Sequence, residues 1–339
     1  MGARASMSHN MNGNIALITG VLGQDGSYLC ELLTNEGYNV YGIERKDLSE
    51  NSKKIFKHLN KKGCYPKILD CDLYSYNDVV NIIKKIRPDE IYHLAATHYP
   101  SQSTGAGDDL DRKLFWENVS ATINILTAIS ETSSQLKCIL AGSCLMFDAS
   151  SESPQHEKTP FRSGSMYGLA KITEFNIGKF FRDKGTHASM AFLYNHESPR
   201  RADSFVTKKI VKHMILVKQG KIRDFELGNL DAIRDWGYAK DYVRGLYLMA
   251  HQQIPGDYIL ATGKGHTVRD LIVQVAKVLE IPDWESHVKL NPEIINRDSA
   301  TKLIGSPVLA ERILNWRRSV EFEGLVGLMV ENELEGTMD

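Results

Sequence analysis

Tyr167 and Lys171 stand four residues apart in a stretch whose apolar residues recur at helical spacing, so both side chains project from one helix face. A phenol ordinarily titrates near pH ~10, and an ammonium group beside it favours the phenolate. That pairing lets a tyrosine act as general base at neutral pH, taking the proton of a substrate hydroxyl while hydride leaves the same carbon for a nicotinamide. Ser143 closes an upstream apolar run, and its hydroxyl can orient the substrate hydroxyl or share its proton. Lys171 has a second use, as a hydrogen-bond donor to the nicotinamide ribose. A Tyr-x-x-x-Lys pair recurs by chance in chains of this length, so its weight depends on what accompanies it.

A glycine loop near the start of the chain accompanies it. Gly20-Val21-Leu22-Gly23-Gln24-Asp25-Gly26 follows a strand-like apolar run and opens a helical pattern. Glycines at this spacing allow a tight turn, close backbone approach to a pyrophosphate and tight helix–strand packing. The helix start then offers N–H groups and a positive dipole end to phosphates. Glu44, at the end of the next apolar run, can accept hydrogen bonds from the adenosine ribose and would repel a 2′-phosphate, which favours NAD. Arg45 and Lys46 follow directly and could clasp a 2′-phosphate, so NADP stays open. Asp72 is placed for the adenine amino group with Leu73 beside it, and Leu94-Ala95-Ala96-Thr97 offers mostly small side chains along the cofactor.

Residues as far apart as Gly20 and Lys171 meet only if the chain between them folds back repeatedly. Short apolar runs alternating with helical patterns do this as a doubly wound parallel α/β sheet of the Rossmann type. Strands are expected at Ile15–Thr19, Val40–Ile43, Lys67–Leu69, Glu90–Leu94, Cys138–Ala141 and Ser189–Leu193, with helices at about Asn77–Ile86, Leu114–Glu131 and Tyr167–Arg182. Beyond Asn195 a helix over Phe205–Gln219 precedes a loop-rich stretch, Glu226–Tyr238. A helix over Asp241–Ala250 and a strand over Tyr258–Ala261 return to the main sheet. Further helices open near Thr267 and cover Phe322–Leu334. No linker separates these segments, so a smaller α/β domain is interleaved with the first. The expected division is 12–196 plus 236–265 for the dinucleotide, 197–235 plus 266–336 for the substrate, and 1–11 as a tail.

Composition narrows the partners. The 339 residues carry 41 basic and 42 acidic side chains, a net charge of -1, which gives no electrostatic reason to expect nucleic acid. Lys61-Lys62 and Lys208-Lys209 read as solvated faces, the second pair also as a possible phosphate contact. The odd count of five cysteines lacks C-x-x-C spacing, which speaks against disulfides or zinc and for a reducing compartment. The apolar run Leu136–Phe147 is too short to span a membrane. The opening residues have no apolar signal region. The expectation is a soluble, cytoplasmic enzyme without metal.

The glycine loop, Asp72-Leu73, Leu94-Ala95-Ala96, Ser143 and the Tyr167/Lys171 pair resemble the extended short-chain dehydrogenase/reductase superfamily. More narrowly, ALITGVLGQDGSYL (16–29), YNHESPRR (194–201), FVTKKI (205–210), LGNLDAIRDWGYAKDYV (227–243) and FEGLVGLMVENELE (322–335) resemble the GDP-mannose 4,6-dehydratase family. That resemblance implies a GDP-sugar substrate, oxidation of its C4 hydroxyl and a homodimer or homotetramer. It also implies His196 and Arg201 near the cofactor, and Asn195, Val206, Lys209, Gly228, Asn229 and Arg234 around the GDP-sugar.

The departures are as informative. The family reads Thr-Ser-Glu where this chain has Ser143-Cys144-Leu145, the stretch expected against the sugar. Serine replaces threonine with a hydroxyl intact. Leu145 replaces the glutamate that, in the family, removes the C5 proton and helps expel the C6 hydroxyl, and leucine transfers no proton. Asn291-Pro292-Glu293 replaces the family's Arg-Pro-x-Glu and removes a phosphate contact for which Arg297 could compensate. The resulting expectation is a GDP-sugar 4-dehydrogenase acting on GDP-manno-heptose or GDP-mannose without dehydration. A 4,6-dehydratase drawing its acid/base group from Glu152, Glu157 or His98 is the alternative. A non-catalytic subunit that senses nucleotide sugar or NAD is a third reading.

Overall fold

The run Ile15–Thr19 forms β1 in the middle of a parallel sheet, where cover on both faces calls for unbroken apolar sequence. The computed structural model describes residues 13–98, 108–132, 135–148, 150–291 and 302–339. After the glycine loop comes α1 (Gln24–Asn35), which ends where Gly37 turns the chain with φ 81°. There follow β2 (Asn39–Ile43), α2 (Glu50–Lys61), β3 (Lys67–Leu69), α3 (Tyr76–Ile86), β4 (Glu90–His93), α4 (Asp108–Thr132), β5 (Lys137–Ala141), α5 (Met166–Asp183) and β6 (His187–Leu193). The second half contains β7 (Asn195–Glu197), α6 (Val206–Lys218), β8 (Phe225–Leu227), β9 (Ile233–Arg234), β10 (Trp236–Tyr238), α7 (Ala239–Ala250) and β11 (Tyr258–Leu260). It closes with β12 (His266–Thr267), α8 (Val268–Leu279), β13 (Val288–Leu290), α9 (Val308–Ile313) and α10 (Phe322–Glu335).

The large sheet runs β3-β2-β1-β4-β5-β6-β11, with every pairing parallel. Chain order reverses between β1 and β4, and the crevice beyond the carboxyl ends of those strands is where such sheets bind ligands. The doubly wound α/β architecture is therefore as expected. Helix α2 is an addition: Ser49 accepts from the Ser52 N–H at its start, and Ile55 and Leu59 bury one narrow stripe. Glu226–Tyr238, expected as loop, carries β9 and β10. Each is only two or three residues long, too short for a periodicity to show, and pairs with a distant strand, β12 or β7.

Two apolar cores result. The first fills both faces of the large sheet, and the second joins α6, α8 and α10 through Met214, Ile272 and Met329. Leu303, Ala310, Leu314 and Trp316, which the sequence division puts with the second unit, pack into the first core. Lys208, expected on a solvated face, is buried. Its ammonium donates to the Pro199 carbonyl at 2.9 Å and pairs with Glu333 at 2.6 Å, tying α6 to α10. All five cysteines are free. Among the described residues no side-chain cluster suits a metal ion, and no helix is long and apolar enough to cross a membrane.

Candidate active site

The glycine loop leaves β1 at Gly20, whose φ of 72° is a left-handed conformation. A Cβ on Gly26 would stand 2.2 Å from the Gly20 carbonyl oxygen, so α1 approaches the loop more closely than any side chain permits. Glu44 faces the loop, accepting from the Leu22 N–H at 2.9 Å and from the Arg45 N–H at 3.1 Å. The Arg45 guanidinium reaches across to the Thr97 hydroxyl, 3.3 Å away. Thr97 is held by Asn118, which accepts from its N–H (3.0 Å) and donates to its carbonyl (2.9 Å), while its hydroxyl donates to Glu117 (2.6 Å). These residues border a cavity of about 890 Å³ that also takes in Gly23, Asp72, Leu73, Leu94, Ala95, Ala96 and His98. A cleft of this size, floored by glycine and rimmed by Glu44 and Asp72, fits a dinucleotide.

One support for this cleft is not visible in the sequence pattern. The Thr19 hydroxyl accepts from the N–H groups of Leu94 (3.1 Å) and Ala95 (3.0 Å) and lies 2.8 Å from Nδ1 of His93. Burial, reinforced by the Lys171 charge, pushes His93 down to about 3. The neutral ring therefore accepts the threonine proton, and β1 is latched to the end of β4.

Leu22, Gln24, Asp25 and Gly26 do not line the cavity, and Gln24 and Asp25 lie against β7. Gln24 donates to the His196 carbonyl (3.1 Å) and accepts from the Ser198 hydroxyl (2.8 Å). Asp25 lies 2.8 Å from Nε2 of His196, and the Tyr194 carbonyl lies 2.6 Å from its Nδ1. Both ring nitrogens thus face acceptors, which calls for an imidazolium. Burial pulls the His196 pKa down, but Asp25 more than offsets it and holds it above its ordinary value. Arg201 pairs with Glu197 at 3.1 Å and stacks 3.4 Å from the Phe205 ring centroid. His196 and Arg201 accordingly sit against the glycine loop and Phe205, outside the large cavity.

The residues expected to carry the reaction lie at the end of β5 and the start of α5. Ser143 starts a 3-10 turn over Cys144–Phe147, and its oxygen accepts from the Leu145 N–H at 3.2 Å. Cys144 is buried, its thiol pushed up to about 12, and it donates to the Asn195 carboxamide at 3.8 Å. Tyr167 lies in the first turn of α5, which Ser165 caps by accepting from the Gly168 N–H at 3.1 Å. A Cβ on Gly168 would come within 2.3 Å of the Leu145 carbonyl oxygen, so the 3-10 turn packs directly onto the turn that carries Tyr167. Leu145 itself is half-buried against the first core.

The Lys171 ammonium is 5.6 Å from the centroid of the Tyr167 ring, on the same helix face as expected. It also forms a buried ion pair with Glu174 at 3.1 Å, and the Thr122 hydroxyl donates to the same carboxylate oxygen at 3.0 Å. The expected acidification of Tyr167 does not follow in this arrangement. Burial raises the phenol above its ordinary value, Lys171 only partly opposes it, and Glu174 adds to the rise. Glu174 and Thr122 were absent from the sequence reading, although Glu174 stands three residues past Lys171 on the same helix face.

His98 packs its ring 4.5 Å from that of Tyr167 and 6.2 Å from that of Phe205. Burial, with the charges of Arg201 and Lys171, pushes it down to about 4, and its buried Nδ1 has no hydrogen-bond partner among the described residues. The other two substitutes for the missing glutamate are engaged elsewhere. Glu152 pairs with His156 at 3.0 Å, and Glu157 accepts from the Ile259 N–H of β11 at 2.9 Å. Pro292, Glu293 and Arg297 lie outside the described residues.

The nucleotide-sugar candidates gather on the second core. Val206 opens α6 and packs on that core, and Lys209 donates to the Glu226 carbonyl at 2.9 Å. Gly228 is buried just after β8, and Asn229 accepts from the Asp231 N–H at 2.8 Å. Arg234 donates to the Ile233 carbonyl at 2.8 Å, and its charge is felt at Cys144. Through Cys144, Arg234 and Asn195 thus link this group to the turn that carries Ser143.

The GDP-mannose 4,6 dehydratase family model matches residues 17–329. GDP-mannose 4,6 dehydratase 2 of Arabidopsis thaliana is 36% identical, over 95% of this chain and 87% of its own length. The human GDP-mannose 4,6 dehydratase is 35% identical, over 95% and 92%. Among solved structures, a UDP-glucose 4-epimerase from Thermotoga maritima with UDP-glucose superposes with a TM-score of 0.81 at 20% identity, over 95% of this chain and 99% of that one. A dTDP-glucose 4,6-dehydratase from Bacillus anthracis in complex with NAD gives 0.81 at 14%, over 95% and 97%. These two share the fold. The chain, matched along nearly its whole length by the family model and by relatives above 30% identity, belongs to the GDP-mannose 4,6-dehydratase family.

Proposed function

We propose that this protein oxidises the C4 hydroxyl of a GDP-sugar, GDP-manno-heptose or GDP-mannose, to the 4-keto sugar and stops there. The observation that carries this reading is Leu145, an aliphatic side chain in the turn between Ser143 and the Tyr167 helix, where the family resemblance implies a glutamate. NAD, when bound, supplies the acceptor for the hydride that leaves C4. The cleft from Gly20 to Thr97 would hold it, with the Glu44 carboxylate disfavouring a 2′-phosphate. Ser143 orients the C4 hydroxyl and Tyr167 takes its proton. Lys171 holds a positive charge beside the phenol. Elimination would need a further group to move the C5 proton, help typically worth ~10²–10⁴ in rate. Residues 197–235 and 266–336 supply most of the GDP-sugar contacts in this reading, and the active form is a homodimer or homotetramer.

A specific observation favours a second reading, a 4,6-dehydratase in which His98 moves the proton. Its neutral ring lies against Tyr167 with one nitrogen buried and unpaired among the described residues. Incubating the protein with NAD and each GDP-sugar, followed by mass spectrometry, separates the readings. Product lacking two hydrogens, with matching NADH, is expected. Product lacking water overturns the stop at the ketone and supports the His98 reading. Tight binding of both ligands without turnover supports the non-catalytic reading. Tyr167→Phe is expected to lower the rate by about 10² or more, as loss of a general base does.

A further inference from the structure

Lys171 is the one charged group expected to make Tyr167 acidic, yet its ammonium is already matched by a carboxylate. The side chains of Lys171 and Glu174 are 2% and 1% exposed, and Nζ lies 3.1 Å from Oε2 of Glu174. Thr122, reaching over from α4, donates to that same oxygen at 3.0 Å and fixes where it sits. Among the described residues Glu174 is the only hydrogen-bond acceptor on the ammonium, which leaves two of its three N–H groups for other ligands. Among the described residues Oε1 of Glu174 is buried without a partner, so none of them draws the carboxylate away from Lys171 through that oxygen.

We propose that Glu174 is a positioning residue: it anchors the Lys171 ammonium one turn from Tyr167 and, by matching its charge, keeps the phenol protonated until substrate and cofactor are in place. This inference rests on the reading of Tyr167 as the base. The groups facing the phenol are few. Lys171 and Glu174 come from its own helix, His98 from the segment after β4, Cys144 from the 3-10 turn, and Arg201 from the segment before α6. His98, His93 and Cys144 are neutral at pH 7, and Arg201 is paired with Glu197. Beyond the burial that raises the phenol, the charge acting on Tyr167 is therefore set mainly by Lys171 against Glu174. Removing the carboxylate charge while keeping its shape unmasks the ammonium and makes the phenol more acidic.

The test is Glu174→Gln. The acid limb of log kcat/KM against pH is expected to move down by about one pH unit, the size of a charge removed at this range in a partly screened interior. Ultraviolet difference titration of the protein without substrate gives a readout independent of turnover. One tyrosine should ionise earlier in Glu174→Gln, and that step should vanish in Glu174→Gln/Tyr167→Phe. An unmoved limb and an unmoved tyrosine in the folded variant overturn the proposal. Should Glu174→Gln fail to fold, Glu174→Asp carries the test. It keeps the charge but draws the anchor back, so kcat should fall roughly tenfold or more, as small misplacements do, with the acid limb in place. Unchanged kcat in folded Glu174→Asp would refute the anchoring. Tyr167→Phe assayed in parallel separates the two ideas. If it stays active, the base assignment falls and takes this inference with it. If it is inactive and the Glu174 variants behave as wild type, only this inference falls.

Discussion

Leu145→Glu adds a single carboxyl to the turn that faces the Tyr167 helix, and its consequences can be worked through. The leucine is half-buried, so losing its apolar contacts costs about half the ~1.5–3 kcal/mol of a fully buried side chain. A partly desolvated carboxyl adds a further penalty, and a total of about 1–3 kcal/mol leaves a chain of this size folded. The turn backbone is not expected to change, because the Leu145 N–H is held by Ser143 and its carbonyl abuts Gly168. Desolvation raises the new group's pKa, so it passes readily between acid and carboxylate near neutral pH, as a proton carrier must. The expected gain in dehydration is ~10²–10⁴ over wild type. The assay runs in D₂O with NAD and GDP-mannose, and mass spectrometry follows both loss of water and deuterium uptake at C5. Uptake without water loss would mean the base works but the C6 hydroxyl is poorly placed. A folded variant that makes the ketone yet shows neither change would refute the argument that an absent carboxyl is what halts the reaction.

Three other perturbations probe separate parts of the molecule. Glu44→Ala should shift the NAD/NADP preference toward NADP by roughly tenfold or more, equivalent to ~1.4 kcal/mol of repulsion relieved; an unchanged kcat/KM ratio would remove Glu44 from cofactor choice. Asp25→Asn breaks the pair with His196. Burial raises the Asp25 pKa, but His196 and Arg201 more than offset it and hold it below 3.8, so its share of stability is present above that value and lost as pH falls. The His196 pKa is held above 6.5, so its share is full below that value and lost as pH rises through the raised pKa. The loss, about 1.5–3 kcal/mol for a charged hydrogen bond, should be greatest between those limits and smaller at pH 9, and urea melts showing no pH dependence would contradict it. Trp316→Ala should cost about 3–5 kcal/mol in the denaturant midpoint, because the indole is 0% exposed and donates to the Asp241 carbonyl at 2.7 Å.

How far the sequence could be read follows from how local each signal is. β1 has the boundaries expected from its apolar run, because an interior strand covered on both faces must be continuous; β3, an exposed edge strand of three residues, also has its expected bounds. The glycine loop was legible for a similar reason: close approach of α1 to the Gly20 carbonyl admits only hydrogen at position 26. Helix α2 was missed because it buries just two residues amid charge, and β9 and β10 because two or three residues carry no period. The acidity of Tyr167 was misjudged on other grounds. Spacing locates Lys171 on the same face but says nothing of the desolvation that opposes it or of the Thr122–Glu174 contact made from α4. Lys208 misled likewise, since its burial depends on Glu333, a residue of α10 far along the chain.

The chain crosses between the two cores again and again: α6 belongs to one, α7 and β11 to the other, then α8, then the leg from Leu303 to Trp316, then α10. A surgeon exchanging the second core for a relative's would have to splice at every crossing and keep each graft in step. Inherited change faces the same obstacle. In a chain so interlaced, a change made at single side chains leaves every crossing intact, whereas exchange of a whole cassette disturbs them all.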